Sequence, residues 1–357
     1  MKKRPRIREL GLDVWRHPPG RLNLITDVAG VAVGHCTLRR GESRRGRVKG
    51  VVRTGVTVVD FPGRDPYADP LAAAAFVING FGKAVGLEQL RELGRVETPI
   101  AVTNTMSTWA VAEELARLTL EANPEVNSAS PVAAECNDGY LNDIRGFHVK
   151  PSHVRSALRS AKREFRLGAV GAGTGMRAAG FKLGVGSASR VTAGVTTGIL
   201  TVANTGSIRS LRIGGVPASS AAGRKRSPAK PEKGSIIFIL GTDGAFTSRQ
   251  LGRLSKRVTH GLARCGLTSG HGSGDFVIAF STRRAPELSR RKRRRAKPPA
   301  FVREEEMSPQ FEAVVEATEE AYLDAAVTCA TTDGIDGRVV EALDLDLVRE
   351  AIGRTRA

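Results

Sequence analysis

One serine in this chain stands where a peptide bond could be converted into a nucleophile. In KPEKGSIIFILGTDGAF (residues 230–246), Ser235 follows Gly234 at the junction of two unlike segments. A basic, proline-punctuated stretch ends there, and a run of five apolar residues, Ile236 to Leu240, begins. A serine hydroxyl is a weak nucleophile at its own pKa and needs an adjacent base. An N-terminal serine carries that base itself, because its α-amine titrates at about 7.7–8.0. The amine has to be made by cutting the chain before the serine. The hydroxyl can do this by attacking the preceding carbonyl and shifting the acyl group from nitrogen to oxygen before hydrolysis. Glycine in the preceding position permits unusual backbone angles and close approach. Further Gly-Ser pairs start at Gly186, Gly206 and Gly272, so the pair is no signature by itself and its setting must decide.

Other chemistry fails on spacing. GAGTGM (171–176) has Met176 where a dinucleotide-binding glycine would stand, and FGKA (81–84) lacks the Ser/Thr that follows a P-loop lysine. The six histidines form no H-E-x-x-H and no metal-ligand spacing, so no metal and no cofactor is expected. His271 lies two residues before Ser273, but no G-x-S-x-G elbow surrounds that serine. The polar, glycine-bearing stretches AECNDGYLND (134–143) and SGHGSGD (269–275) read as turns.

The elements that must hold such residues alternate along the chain. NLITDVAGVAVGHCTL (23–38) reads as strand–turn–strand, punctuated by Asp27 and Gly30, and VVRTGVTVVDFPG (51–63) as a further β-rich run. Helical patterns fall near 83–94, 108–121 and 151–163, with a strand at 99–105. A glycine-rich region, 168–190, precedes a strand at 196–206. SIIFIL reads as a strand buried on both faces. Leu251, Leu254, Val258 and Leu262 recur at helical spacing, and DFVIAFST (275–282) is a strand. Ser308 and Pro309 read as the N-cap and first turn of a last long helix, with Phe311, Val314, Val315, Thr318 and Tyr322 along one face. Mixed strands and helices imply layered α/β or α+β.

Composition bounds the partners. The 357 residues are 41% apolar, enough for a sizeable core, and no stretch has the length of a membrane-spanning helix. The basic N-terminus has no apolar segment after it, which argues against a secretory signal. Four scattered cysteines without C-x-x-C fit a reducing cytosol, so a cytoplasmic location is expected. The net charge of +19 invites a nucleic-acid reading. Much of it sits in 39–49, 223–233 and 283–299, however, without the interleaved aromatics that stack on bases. Basic loops between apolar strands are the preferred reading, and nucleic acid is the disfavoured one.

Nine blocks in order carry a resemblance. They are NLITDVAGVAVGH (23–35), VRTGVTVV (52–59), VINGFGKAVGL (77–87), TPIAVTNT (98–105), AAECNDGYLNDIRGFHV (133–149), GAGTGM, GSIIFILGTDGAF (234–246), HGSGDFVIAFST (271–282) and FEAVVEATEEAYLDA (311–325). Together, over roughly residues 8–347, they resemble the DmpA-type L-aminopeptidase/D-esterase family, which includes the β-peptidyl aminopeptidases. The resemblance implies an α+β fold, a four-layer αββα sandwich spanning 1–357. It implies self-cleavage between Gly234 and Ser235 into chains 1–234 and 235–357 that stay together, with Ser235 as nucleophile and its amine as base. By motif position it implies Asn204 and Tyr140 as oxyanion donors, and Ser273 and Asp275 as the pair orienting the nucleophile. Glu135 is implied as the acid that binds the substrate ammonium. An oligomer of cleaved protomers acting on small peptides, amides or esters follows by the same analogy. GTDGAF and Cys136-Asn137 depart from the family's wording, which leaves the substrate side chain open. The alternatives are related acyl transfer, hydrolysis of an unusual amide such as a β-peptide or amide oligomer, and a basic nucleic-acid-binding protein.

Overall fold

The computed structural model describes residues 4–43, 50–221, 233–285, 288–290 and 301–355. The loop expected at 223–233 therefore lies outside the described residues except for Lys233. Most of the 283–299 loop, and 44–49 of the first basic cluster, also lie outside them.

The principal strands, in chain order, are β1 (Ala32–Arg40), β2 (Val52–Asp60), β3 (Leu71–Gly80), β4 (Ala84–Val85), β5 (Arg95–Val96), β6 (Ile100–Thr103) and β7 (Val132–Glu135). They continue with β8 (Val185–Thr192), β9 (Val195–Ala203), β10 (Lys233–Thr242) and β11 (Gly272–Ser281). The principal helices are α1 (Leu87–Leu93), α2 (Thr108–Ala122), α3 (Pro151–Arg159), α4 (Ser248–Arg264) and α5 (Met307–Val327). One sheet has the order β1-β2-β6-β7-β4 and the other β8-β9-β10-β11-β3-β5. Helices α2 and α3 cover the first sheet, and α4 and α5 the second. A continuous apolar core, including Val59, Val102, Ile199, Ile237 and Ile278, fills the space between the sheets. This is the αββα sandwich.

The apolar run Ile236–Leu240 is fully buried, because β10 is central and covered on both faces. It pairs antiparallel with β9 and parallel with β11. Leu251, Leu254, Val258 and Leu262 form the buried stripe of α4, as their spacing requires.

Four expectations need correction. Residues 23–27 are not a strand: Ile25–Asp27 is a 3₁₀ turn, curled because the Asp27 carboxylate accepts from the Leu22 and Leu24 amides. The helix expected over 83–94 begins only at Leu87, because Gly86 is left-handed at φ 86° and 84–85 pair with β7. The helix expected to reach 163 ends at Arg159, and Lys162 bridges to Val33 instead. Helix α5 starts at Met307, fed by a 3₁₀ turn over Glu304–Glu306, so Ser308 lies inside the helix and is not its cap. The glycine-rich region also hides strand β8. Its first part, Gly171–Gly175, is a buried 3₁₀ turn whose glycines press on neighbouring backbone, which explains GAGTGM without a phosphate.

Helix α5 is buried almost all round, including the acidic residues Glu316, Glu319, Glu320 and Asp324. Arginines answer them. Arg190, fully buried, meets Glu316 at 3.0 Å and Glu320 at 2.7 Å. From the N-terminal segment, Arg6 pairs with Asp324 at 2.7 Å and Arg8 with Glu320 at 2.9 Å, while Trp15 Nε1 donates to Glu319 at 3.0 Å. Burial pushes Asp324 up to about 6 despite Arg6.

Candidate active site

Ser235 lies at the start of β10, 5% exposed. Beyond the last paired residue of β9, Asn204 extends the ladder by one step. Its amide donates to the Ser235 carbonyl at 2.8 Å, and the Ser235 amide donates to the Asn204 carbonyl at 3.3 Å. The Asn204 side-chain oxygen accepts from the Arg177 amide at 3.0 Å. That bond turns the Asn204 Nδ2 donor away from Arg177, and no acceptor meets it among the described residues.

Gly234 fits flush against this ladder. A Cβ there would stand 2.1 Å from the Asn204 carbonyl oxygen and 2.8 Å from Thr205 Cα. On the other side, Ser235 is in register with Gly274 of β11. A Cβ on Gly274 would lie 3.3 Å from Ser235 Oγ and 2.4 Å from Gly82 Cα. The β3–β4 connection therefore runs over the serine hydroxyl, and two facing glycines make the approach possible.

That connection leads to the acid. Glu135, at the end of β7 and 2% exposed, accepts from the Lys83 amide at 3.1 Å and from the Thr105 hydroxyl. Asn137 Nδ2 steadies the Thr105 hydroxyl at 3.1 Å. Burial raises the Glu135 carboxyl above its ordinary range, and the Thr105 and Lys83 hydrogen bonds oppose that. Among the described residues, Lys83 is the one cation whose charge also favours the ionised form, and a buried carboxylate of this kind can accept an ammonium group. Cys136, next in sequence, is sealed in, with its Sγ 3.2 Å from the Val202 carbonyl and its thiol pushed well up by burial. It is an inert wall rather than a nucleophile.

Ser273 and Asp275 are fully buried and joined, Ser273 Oγ donating to Asp275 Oδ1 at 2.6 Å. Burial raises the Asp275 carboxyl, against the pull of Ser273, Ser269 and the Ile236 amide. The register sets Ser273 beside Gly234 and Asp275 beside Ile236. Alternation along β11 turns both side chains to the face opposite Gly274, away from the Ser235 hydroxyl. The fold thus brings this pair to the strand flanking Ser235 but makes no hydrogen bond from either to Ser235 among the described residues.

Tyr140, 38% exposed, makes no hydrogen bond to Ser235 or Asn204 among the described residues and lies instead against Arg177, whose amide holds Asn204. The Arg177 guanidinium lies 3.6 Å from the Tyr140 ring centroid and that of Arg338 4.9 Å from it. Lys83, Thr105, Gly82 and Arg177 carried no expected role. Three act through backbone and Thr105 through its hydroxyl, which leave no spacing signal, and Arg177 lies just past the GAGTGM block. No group of three or more His, Cys, Asp or Glu able to hold a metal occurs among the described residues. No helix among them is long and apolar enough to cross a membrane.

A four-layer sandwich with a small hydroxyl residue opening a central strand defines the N-terminal-nucleophile (Ntn) class of hydrolase. Peptidase family S58 matches residues 23–340, and the chain belongs to that family. It is 36% identical over 364 residues to a β-peptidyl aminopeptidase, BapA, of Sphingosinicella microcystinivorans, covering 95% of this chain and 89% of that protein. Among solved structures it resembles the PH0078 protein of Pyrococcus horikoshii OT3, with 42% identity and TM-score 0.90 over 98% of this chain and 99% of that one. It also resembles the L-aminopeptidase D-Ala-esterase/amidase of Ochrobactrum anthropi, described as a prototype serine aminopeptidase with a variant Ntn hydrolase fold. That match has 33% identity and TM-score 0.87 over 98% of each chain. The chain is thus a hydrolase of the serine aminopeptidase type, and the nucleic-acid reading finds no support among these relatives.

Proposed function

We propose that the chain cuts its own Gly234–Ser235 bond and then uses Ser235 to release N-terminal residues from small peptides, amides or esters. In the first reaction Ser235 Oγ attacks the Gly234 carbonyl carbon, the C–N bond breaks as an ester forms, and water hydrolyses the ester. The products are a carboxylate at Gly234 and a free amine on Ser235. In turnover that amine takes the hydroxyl proton, Oγ attacks the substrate carbonyl, and the protonated leaving amine departs. Water then frees the acyl group. Asn204 Nδ2 donates to the developing oxyanion, with Tyr140 beyond Arg177 as its companion. Glu135 holds the substrate ammonium, which restricts the enzyme to free N-termini. Ser273 and Asp275 act after the cut, when the freed end of β10 can turn toward them.

The observation that carries this reading is the reciprocal pairing of Ser235 with Asn204, with Gly234 flush against it. We place the enzyme in the cytosol, in keeping with four free cysteines, and as an oligomer of cleaved protomers by family analogy. The acyl residue, whether L, D or β, is open: a panel of aminoacyl amides of each kind separates them, and release from none of them refutes the aminopeptidase assignment. Intact-mass measurement tests the processing. Fragments 1–234 and 235–357 are expected from the parent and one uncut, inactive chain from Ser235→Ala. An uncut chain that turns over substrate, or a cut at this bond in the variant, refutes the reading.

A further inference from the structure

Arg177 has more hydrogen-bonding capacity than the fold uses. Its backbone amide fixes the Asn204 side chain at 3.0 Å, which places the residue at the edge of the site. Its half-buried guanidinium lies over the Tyr140 ring, Cζ 3.6 Å from the centroid. No carboxylate and no hydrogen-bond acceptor meets that guanidinium among the described residues. On the same ring sits a second cation, Arg338, which donates to the Tyr140 carbonyl at 3.2 Å and has Asp336 only at 3.9 Å. A guanidinium presents five donors in a planar fork matched to a carboxylate, and stacking on an aromatic ring holds that fork in one plane. Two guanidinium groups around one tyrosine leave local positive charge. Burial and Arg338 both lower the affinity of Arg177 for its own proton, so an anion bound there relieves a cost already present.

Position decides which anion. With the substrate ammonium at Glu135 and its carbonyl oxygen at Asn204, the acyl residue occupies the Glu135 side. Beside that donor, Arg177 is the cation whose guanidinium meets no acceptor among the described residues, and the departing part of the substrate is the part that neither Glu135 nor Asn204 holds. We propose that Arg177, assisted by Arg338, binds the free C-terminal carboxylate of the leaving residue, making the enzyme selective for short unblocked peptides over their amides. This inference rests on Ser235 as nucleophile and Asn204 as oxyanion donor.

The test uses the self-processed full chain with L-Ala-L-Ala and β-Ala-L-Ala, their C-terminal amides, and the corresponding aminoacyl p-nitroanilides. A charge-assisted pair of this kind is expected to favour the free acid over the amide by about tenfold in kcat/KM. Arg177→Met should bring that ratio to about one, chiefly by raising KM for the free acid, and Arg338→Met should lower it by a smaller factor. An acid-to-amide ratio in Arg177→Met equal to that of the parent overturns the proposal. So does an equal fall on acid, amide and anilide, which would make the side chain only a support for Tyr140. Turnover surviving in Ser235→Ala would instead overturn the nucleophile assignment, and the acid-to-amide ratio would still be readable.

Discussion

Replacing Gly234 with alanine tests the geometry of self-cleavage while leaving the scissile carbonyl and the Ser235 hydroxyl chemically in place. The new Cβ would stand 2.1 Å from the Asn204 carbonyl oxygen and 2.8 Å from Thr205 Cα. Tolerated carbon–oxygen contacts begin at about 3.3 Å, so roughly 1.2 Å must be recovered from backbone on both sides. Neither side yields easily, because Asn204 and Ser235 exchange both backbone hydrogen bonds there. Overpacking of this kind costs about 1–3 kcal/mol. The displaced atoms are those that aim the Asn204 donor, so beyond the strain borne by the folded chain, misaiming adds a cost of similar size, about 1–3 kcal/mol, in the transition state of the cut. At tenfold per 1.36 kcal/mol, scission should slow by about 5- to 160-fold. The assay is a time course of intact mass after refolding, for the parent and Gly234→Ala. The uncuttable pair Ser235→Ala and Gly234→Ala/Ser235→Ala should differ by the same 1–3 kcal/mol or so in denaturant unfolding. Scission in Gly234→Ala as fast as in the parent would refute the reasoning, as would equal stability of the uncut pair.

Two further outcomes follow from buried charge. Glu135 must be ionised to hold an ammonium, and burial raises its pKa, so kcat/KM should fall as pH drops through a value above the ordinary 4.5 of glutamate. Glu135→Gln should remove that fall, leaving the limb that the Ser235 amine sets at higher pH, and lower kcat/KM by about 30-fold or more, the scale of losing one partner of a buried pair; a profile that keeps the second, lower fall would count against the assignment. Arg190→Met strands Glu316 and Glu320 inside the protein. It should destabilise the fold by about 3–5 kcal/mol, less whatever Arg8 recovers at Glu320, as read from denaturant midpoints.

What could be read from sequence followed the range of the interactions involved. Ile236–Leu240 announced a central strand because an unbroken apolar run has no other use between glycines. The stripe Leu251–Leu262 announced a helix because its period is local. The acids of α5 announced nothing, since Arg6 meets Asp324 across 318 residues of sequence. Read alone, Glu316, Glu319, Glu320 and Asp324 belong on a solvated face. At the site, SGHGSGD (269–275) read as a turn, whereas β11 begins at Gly272 and makes Ser273 and Asp275 an i, i+2 pair on one strand face. Its orientation relative to Ser235 depends on the β10–β11 register, which no local pattern encodes. Glu135 came from family wording, whereas its fixing by the Lys83 amide and the Thr105 hydroxyl needed two connections to converge. Self-cleavage, too, was suggested by chemistry at Gly234-Ser235 but gains its geometric argument only once Asn204 is seen opposite.

The arginine contacts of residues 4–27 with α5 have a consequence for the protein's life history. The proposed cut at Gly234 would assign those arginines to one polypeptide and the helix they grip to the other, with β9 and β10 still laddered across the same divide. Before the cut, refolding is a search within one molecule. Afterwards it becomes a second-order encounter, diluted with the sample, and the unfolding midpoint acquires a dependence on protein concentration. A denatured, cut enzyme would therefore have a poorer route home than the uncut chain. Its persistence would rest on how slowly the two polypeptides part, a rate rather than an equilibrium.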